Sequence, residues 1–218
     1  MHSHTYHTKP VEYFGLSRPE MIRFVPASAR TLLEVGCGKG EFVAALKASR
    51  KLVATGVEPY PAAATEARQV FDELLAMSID DATTHLRGRH FDCIVFNDVL
   101  EHMVDPWAVL RSVKPLLAAG GSVVASIPNV RYWPVLNGLF LHANWQYEET
   151  GVLDRTHLRF FTRSTMLSLF QDCGYRVEQI EGIHQVRPPL KISLLNRLTG
   201  GRFDDTRYTQ FACVARAE

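Results

Sequence analysis

The chain has 218 residues, 46% hydrophobic and 22% charged, and its 24 basic and 23 acidic residues leave a net charge of +1. That length suits one domain with a large core, and the charge balance argues against a phosphate-tracking surface and a nucleic-acid partner. No stretch reaches the length of a membrane span, so no integral membrane segment is expected, and the N-terminal MHSHTYHTKP lacks the apolar core of a signal peptide. Cys37, Cys93, Cys173 and Cys213 are scattered without a C-x-x-C pair, so free thiols in a cytoplasmic setting are expected. His2, His4 and His7 read as a solvated terminus rather than a metal site.

In chain order, Ser17-Arg-Pro-Glu20 has capping-box spacing with proline near the first helical position, which predicts a short helix over 18–25. Residues 1–29 would then form a helical cover ahead of the sheet. The string TLLEVG (31–36) is an apolar strand that runs into the turn Gly36-Cys37-Gly38-Lys39-Gly40 and a helix over 40–49. Without Cβ atoms, such a turn adopts positive φ and lets a ligand touch backbone, while the amides opening the helix face the same space. A second strand (52–57) ends in Glu58, 20 residues past Gly38, where an acid can accept both hydroxyls of a ribose.

A helix over 61–69 follows, then a strand near 73–77 and a buried strand FDCIVFND (91–98). Asp105-Pro106 opens a helix to about Leu117 that stops at Gly120-Gly121, and GSVVASIP (121–128) is the fifth strand. Thr162 caps a helix over 163–172 that Gly174 ends, and strands near 176–183 and 209–216 complete the sheet. Strands alternating with helices predict an α/β domain with a doubly wound, mostly parallel seven-stranded sheet, its last two strands forming an antiparallel edge hairpin. One domain spans 1–218, with an irregular insertion at 128–162 and a mobile loop at 184–208.

Glu34, two residues before the first glycine, would repel a pyrophosphate and suits a ligand carrying an amino group. The string E-V-G-C-G-x-G closely resembles the first motif of class I S-adenosylmethionine-dependent methyltransferases, and Glu58 sits where that family holds its ribose acid. The resemblance covers about residues 30–128 and implies S-adenosylmethionine as cofactor, with S-adenosylhomocysteine as product. It places Glu34, Gly36, Cys37, Gly38 and Gly40 at the methionine portion, and Glu58, Pro59 and Tyr60 at ribose and adenine. Ser78 and Ile79 take the adenine-side position, with Asp80 or Asp81 as substitutes for Ser78. Asn97, Asp98 and Leu100 follow strand four, and Glu101-His102 starts the wall between donor and acceptor.

The insertion carries Trp133, Trp145 and Tyr147, flat faces of the kind a sugar stacks on, or anchors that pin the loop. Asp154-Arg155-Thr156-His157 sets four hydrogen-bonding side chains in a row. With a pKa suited to base catalysis, His157 is the first candidate, oriented by Asp154, and His102 is the second. Arg131 and Arg155, with Arg159, are candidates for binding a phosphate on the acceptor, or salt-bridge partners. No cluster of metal ligands stands out, so no metal is expected.

The segment IPNVRYW…W-x-Y…GVLDRTHLRFFT resembles methyltransferases associated with bacterial surface-polysaccharide synthesis, which implies a small-molecule or glycan hydroxyl as acceptor. A quinone-precursor methyltransferase and a non-catalytic S-adenosylmethionine-binding scaffold are the alternatives, with an NAD oxidoreductase more distant. A homodimer is allowed.

Overall fold

A computed structural model of the chain describes residue 15 and residues 17–218. His2, His4 and His7, and most of the expected N-terminal cover, lie outside the described residues. Seven strands form one sheet: β1 (Thr31–Val35), β2 (Val53–Val57), β3 (Glu73–Leu75), β4 (Phe91–Asn97), β5 (Leu117–Pro128), β6 (Tyr175–Gln185) and β7 (Tyr208–Ala217). Their order is β3-β2-β1-β4-β5-β7-β6. The first five pair in parallel, whereas β7 runs antiparallel to both neighbours. This is the expected doubly wound sheet with its antiparallel edge.

The strand interiors are apolar on both faces because helices cover both. Along β4, Ile94 and Phe96 join one core cluster while Cys93 and Val95 join the other, and β5 and β7 alternate in the same way. One face packs against α3 (Ile79–His85), α4 (Pro106–Val113) and α6 (Arg163–Gln171); the other packs against α1 (Glu41–Ser49), α2 (Pro61–Ala67) and the N-terminal turn. All four cysteines are buried and free. Among the described residues, no helix is long and apolar enough to cross a membrane.

Several boundaries differ from expectation. The segment expected as a helix over 18–25 is a 3-10 helix, Pro19–Phe24, entered from Arg18 in the left-handed region rather than capped by the Ser17 side chain. Helix α4 ends at Val113 because Pro115 cannot donate the next intrahelical bond. A 3-10 turn over Lys114–Leu116 then leads straight into β5, so Gly120 and Gly121 lie inside a strand rather than ending a helix. A Cβ on Gly121 would stand 2.9 Å from the Phe91 carbonyl oxygen, which is why the register irregularity opposite β4 takes glycine there.

Helix α3, capped by Ser78, was not legible because the short β3 precedes it directly. The insertion expected to be irregular contains α5 (Trp133–His142), and the loop expected at 184–208 contains α7 (Leu190–Leu198).

Candidate active site

Strands β1 and β4 are neighbours, and the chain leaves them in opposite directions along the sheet, which opens a crevice beyond their C-terminal ends. A cavity of about 1040 Å³ fills it and continues under the insertion. Its cofactor-side wall brings together Glu34, Gly36, Cys37, Gly38, Asn97 and Asp98; its acceptor-side wall brings together Glu101, Asp154 and His157.

The glycine turn is held down by the end of β2, since the Gly36 and Cys37 amides both donate to the Val57 carbonyl, at 2.8 and 3.2 Å. Gly36 has φ +66°, and a Cβ there would lie 2.6 Å from Val99 Cγ2. Glu58 Oε2 accepts from the Gly38 amide at 2.8 Å, and Oε1 accepts from the Tyr60 amide at 2.8 Å. The carboxylate of Glu58 is thus turned onto the backbone of the turn and is 1% exposed.

At the end of β1, Glu34 is 2% exposed. Its Oε1 accepts from Asn97 Nδ2 at 3.3 Å, but Glu34 Oε2 and Asn97 Oδ1 have no hydrogen-bond partner. Burial pushes the Glu34 carboxyl up to about 8, with Asn97 opposing the rise and Glu58 adding to it. Two buried acceptors without donors, on the wall that also carries Gly36 and Gly38, fit the ammonium end of S-adenosylmethionine.

Asp98, at φ +55°, is fixed by residues that the motif does not contain. Arg18 Nη1 lies 2.6 Å from its Oδ2, and Gln210 and Ser126 donate to its Oδ1 at 2.9 Å each. Arg18 Nη2 also donates to Gln210 Oε1 at 2.8 Å. The N-terminal turn, β4, β5 and β7 are thereby joined around one carboxylate. Sequence reasoning missed Arg18 and Gln210 because no local pattern marks either; they meet through a fold contact across almost the whole chain.

On the acceptor side, the Glu101 carbonyl accepts from the Leu158 and Arg159 amides at 2.8 and 3.0 Å, which pins the insertion over the turn after β4. His157 Nε2 then lies 3.9 Å from Glu101 Oε1. His157 Nδ1 faces the Val152 carbonyl at 3.0 Å, and since that oxygen only accepts, Nδ1 carries the proton and Nε2 the lone pair of the neutral ring. His102 Nδ1 likewise faces the Thr156 carbonyl at 3.2 Å, and the two rings sit 4.7 Å apart, edge to face.

Asp154, expected to orient His157, is held through one carboxyl oxygen by Thr156. The Asp154 carboxylate accepts from the Thr156 amide at 2.8 Å and its hydroxyl at 2.7 Å, because a short turn folds it back on its own backbone. Asp154 therefore bears on His102, through Thr156.

The substrate candidates are also rearranged. Trp145 packs edge to face on Phe160 with centroids 5.3 Å apart, and Tyr147 tilts onto the same ring at 6.3 Å. Asn144, Gln146 and Glu148 alternate with them and line the cavity, whereas Trp145 and Tyr147 do not, and Tyr147 stays 46% exposed. The wall takes Tyr132 rather than Trp133. Arg131 pairs with Asp205 at 3.1 Å, Arg155 pairs with Glu149 at 2.7 Å, and Arg159 donates to the Val104 carbonyl. Pro59, Tyr60, Ser78, Ile79 and Leu100 lie off this wall: Ser78 is spent on capping α3, and Ile79 and Leu100 are core.

A family model described as a methyltransferase domain matches residues 12–180. The chain belongs to the methyltransferase-domain family, and its fold is that of the class I S-adenosylmethionine-dependent enzymes. An uncharacterized protein of Mycobacterium tuberculosis is 30% identical over 150 residues, 68% of this chain and 48% of its own. A ubiquinone biosynthesis O-methyltransferase of Psychrobacter arcticus is 30% identical over 166 residues, 72% of this chain and 63% of its own. The chain thus spans about half to two thirds of the length of these relatives. Among solved structures, a SAM-dependent methyltransferase from Archaeoglobus fulgidus superposes with a TM-score of 0.65 at 15% identity, covering 96% of each chain. A plantazolicin methyltransferase bound to S-adenosylhomocysteine gives 0.60 at 16% identity, over 95% of this chain and 81% of that one. At such identities the likeness is one of fold.

Proposed function

We propose that the chain transfers the methyl group of S-adenosylmethionine to a hydroxyl oxygen of an uncharged acceptor, a sugar ring in surface-glycan synthesis. The observation that carries this reading is the charge of the cavity. Glu34, Asp98, Glu101, Glu148, Glu149 and Asp154 line it, against Arg18 and two histidines, His157 and His184. Arg131, Arg155 and Arg159 are engaged with Asp205, Glu149 and the Val104 carbonyl, which favours an acceptor whose reacting part carries no phosphate. Asn144, Gln146 and Thr150 supply hydrogen-bonding edges for several hydroxyls.

Glu34 and Asn97 would hold the cofactor's ammonium, and the Gly36–Gly38 backbone would pack along its methionine chain. Bound there, S-adenosylmethionine supplies an electrophilic methyl group on a cationic sulfur. The chain's own residues then have two tasks, alignment of the acceptor oxygen and disposal of its proton. Glu101 and His157 serve the second, because both line the cavity and His157 Nε2 lies 3.9 Å from Glu101 Oε1. As the oxygen–carbon bond forms and the sulfur–carbon bond breaks, the hydroxyl proton leaves to that pole.

A phenolic quinone precursor is the second reading. It is favoured by the ubiquinone-pathway relatives and by Phe140, Leu141, Leu190 and Leu198, apolar side chains at least 70% exposed on α5 and α7. Transfer of a labelled methyl group into a fractionated bacterial extract separates the two. Label in the glycolipid or polysaccharide fraction supports a sugar; label in the neutral-lipid fraction supports the phenol.

A further inference from the structure

We propose that Glu101, His102 and His157 form a binding site for a divalent transition-metal cation of the zinc type at the acceptor end of the cavity. The three donor atoms, one from each residue, lie within 4.8 Å of one another. A tetrahedral shell with bonds of about 2.0–2.2 Å sets its donors roughly 3.4 Å apart, so modest side-chain rotations would close this one.

Two independent features point to a ligand. Glu101 is 1% exposed and lines the cavity, yet neither carboxyl oxygen has a hydrogen-bond partner. Leaving such a group unmatched is costly unless something absent from the chain completes it. Second, both histidines use Nδ1–H on a backbone carbonyl, Val152 for His157 and Thr156 for His102. That arrangement fixes each ring, which is how metal-ligating histidines are held. Two imidazoles and one carboxylate suit zinc and its neighbours better than magnesium or calcium, which prefer all-oxygen shells. The surplus of carboxylates around the cavity favours a cation electrostatically.

The role of the cation rests on the methyl-transfer reading; its binding does not. A bound cation would coordinate the acceptor hydroxyl and lower its pKa, with His157 then serving as a ligand; the proton-accepting role of His157 belongs to the metal-free chain. The O–H proton would then pass to solvent, and the oxygen would form its bond to the methyl carbon as the sulfur–carbon bond breaks.

The test is calorimetric titration of Zn²⁺ into the full chain carrying His2→Ala, His4→Ala and His7→Ala, so that the terminal imidazoles contribute nothing. One equivalent should bind, and Glu101→Gln or His157→Ala should each weaken it at least about tenfold. S-adenosylhomocysteine titration of the same variants reports whether they fold and whether the cofactor end is intact. Absence of binding, or binding that both substitutions leave unchanged, would overturn the site. Should the buried substitutions prevent folding, X-ray absorption on the zinc-loaded parent decides: imidazole in the first shell supports the site, and its absence rejects it.

Discussion

Glu101 Oε1 lies 3.9 Å from His157 Nε2, and both side chains are almost fully withdrawn from water, at 1% and 7% exposure. Burial raises the Glu101 carboxyl well above the usual range, and the charge of Asp98 raises it further. Across that distance the carboxylate form of Glu101 offsets the charge of an imidazolium at His157, so the two groups act on a proton as a pair.

Replacing His157 by alanine should lower turnover by about 10²- to 10⁴-fold, the usual contribution of a general base. Affinity for S-adenosylhomocysteine should stay unchanged, because His157 lies away from Glu34 and the glycine turn. Steady-state kinetics together with calorimetry check this; near-normal turnover would return the proton to His102 or to alignment alone.

Cofactor binding should depend on pH through Glu34. Its carboxyl titrates near 8 in the free chain, whereas a bound ammonium favours the carboxylate, so binding at neutral pH expels a proton. Affinity for S-adenosylhomocysteine should rise with pH by up to about tenfold per unit, then level off above about pH 8. Titrations in buffers of different ionisation heat measure the proton, and Glu34→Gln should flatten the profile. For stability of the free chain the slope is reversed: folded Glu34 keeps a proton that the unfolded chain releases above 4.5, so its contribution is full below 4.5 and falls as pH rises towards 8.

Gly36→Ala should cost about 1–2 kcal/mol from its φ of +66° alone, and more from the contact with Val99 Cγ2. Thermal unfolding should show the loss, and adding Val99→Ala should recover the part due to the clash. Gly88→Ala, at φ +80° with open space around its Cβ, isolates the backbone share.

Glu58→Ala removes the acceptor that anchors the Gly38 and Tyr60 amides. Hydrogen bonds to a charged group contribute about 1.5–3 kcal/mol, so S-adenosylhomocysteine affinity should fall roughly 10- to 100-fold. Unchanged affinity in calorimetry would remove Glu58 from the cofactor site.

The glycine turn and its flanking strands were legible because they are local: one strand, the turn and the next strand end fall within residues 31–58, and their spacing is set by the β-α-β unit. The acceptor half was legible in its residues but not in its partners. His157 was singled out by residue type, and the fold sets its Nε2 3.9 Å from Glu101, since the insertion docks by backbone bonds to the Glu101 carbonyl. Trp145 and Tyr147 read equally as sugar platforms or as anchors because an aromatic looks alike whether it faces a ligand or Phe160. Arg18 left no trace in the sequence, as its ion pair with Asp98 exists only once the N-terminal turn crosses the strand ends. The approach of His157 to Glu101-His102 left no trace for the same reason, being made by the tertiary fold.

The most direct test of the account is nuclear magnetic resonance of the product made from S-adenosylmethionine with an isotopically labelled methyl group. The account expects the label on an ether oxygen of a carbohydrate ring, formed by the parent chain and lost in His157→Ala. Label on nitrogen or carbon, or a chain that binds S-adenosylhomocysteine but labels no acceptor, would contradict it.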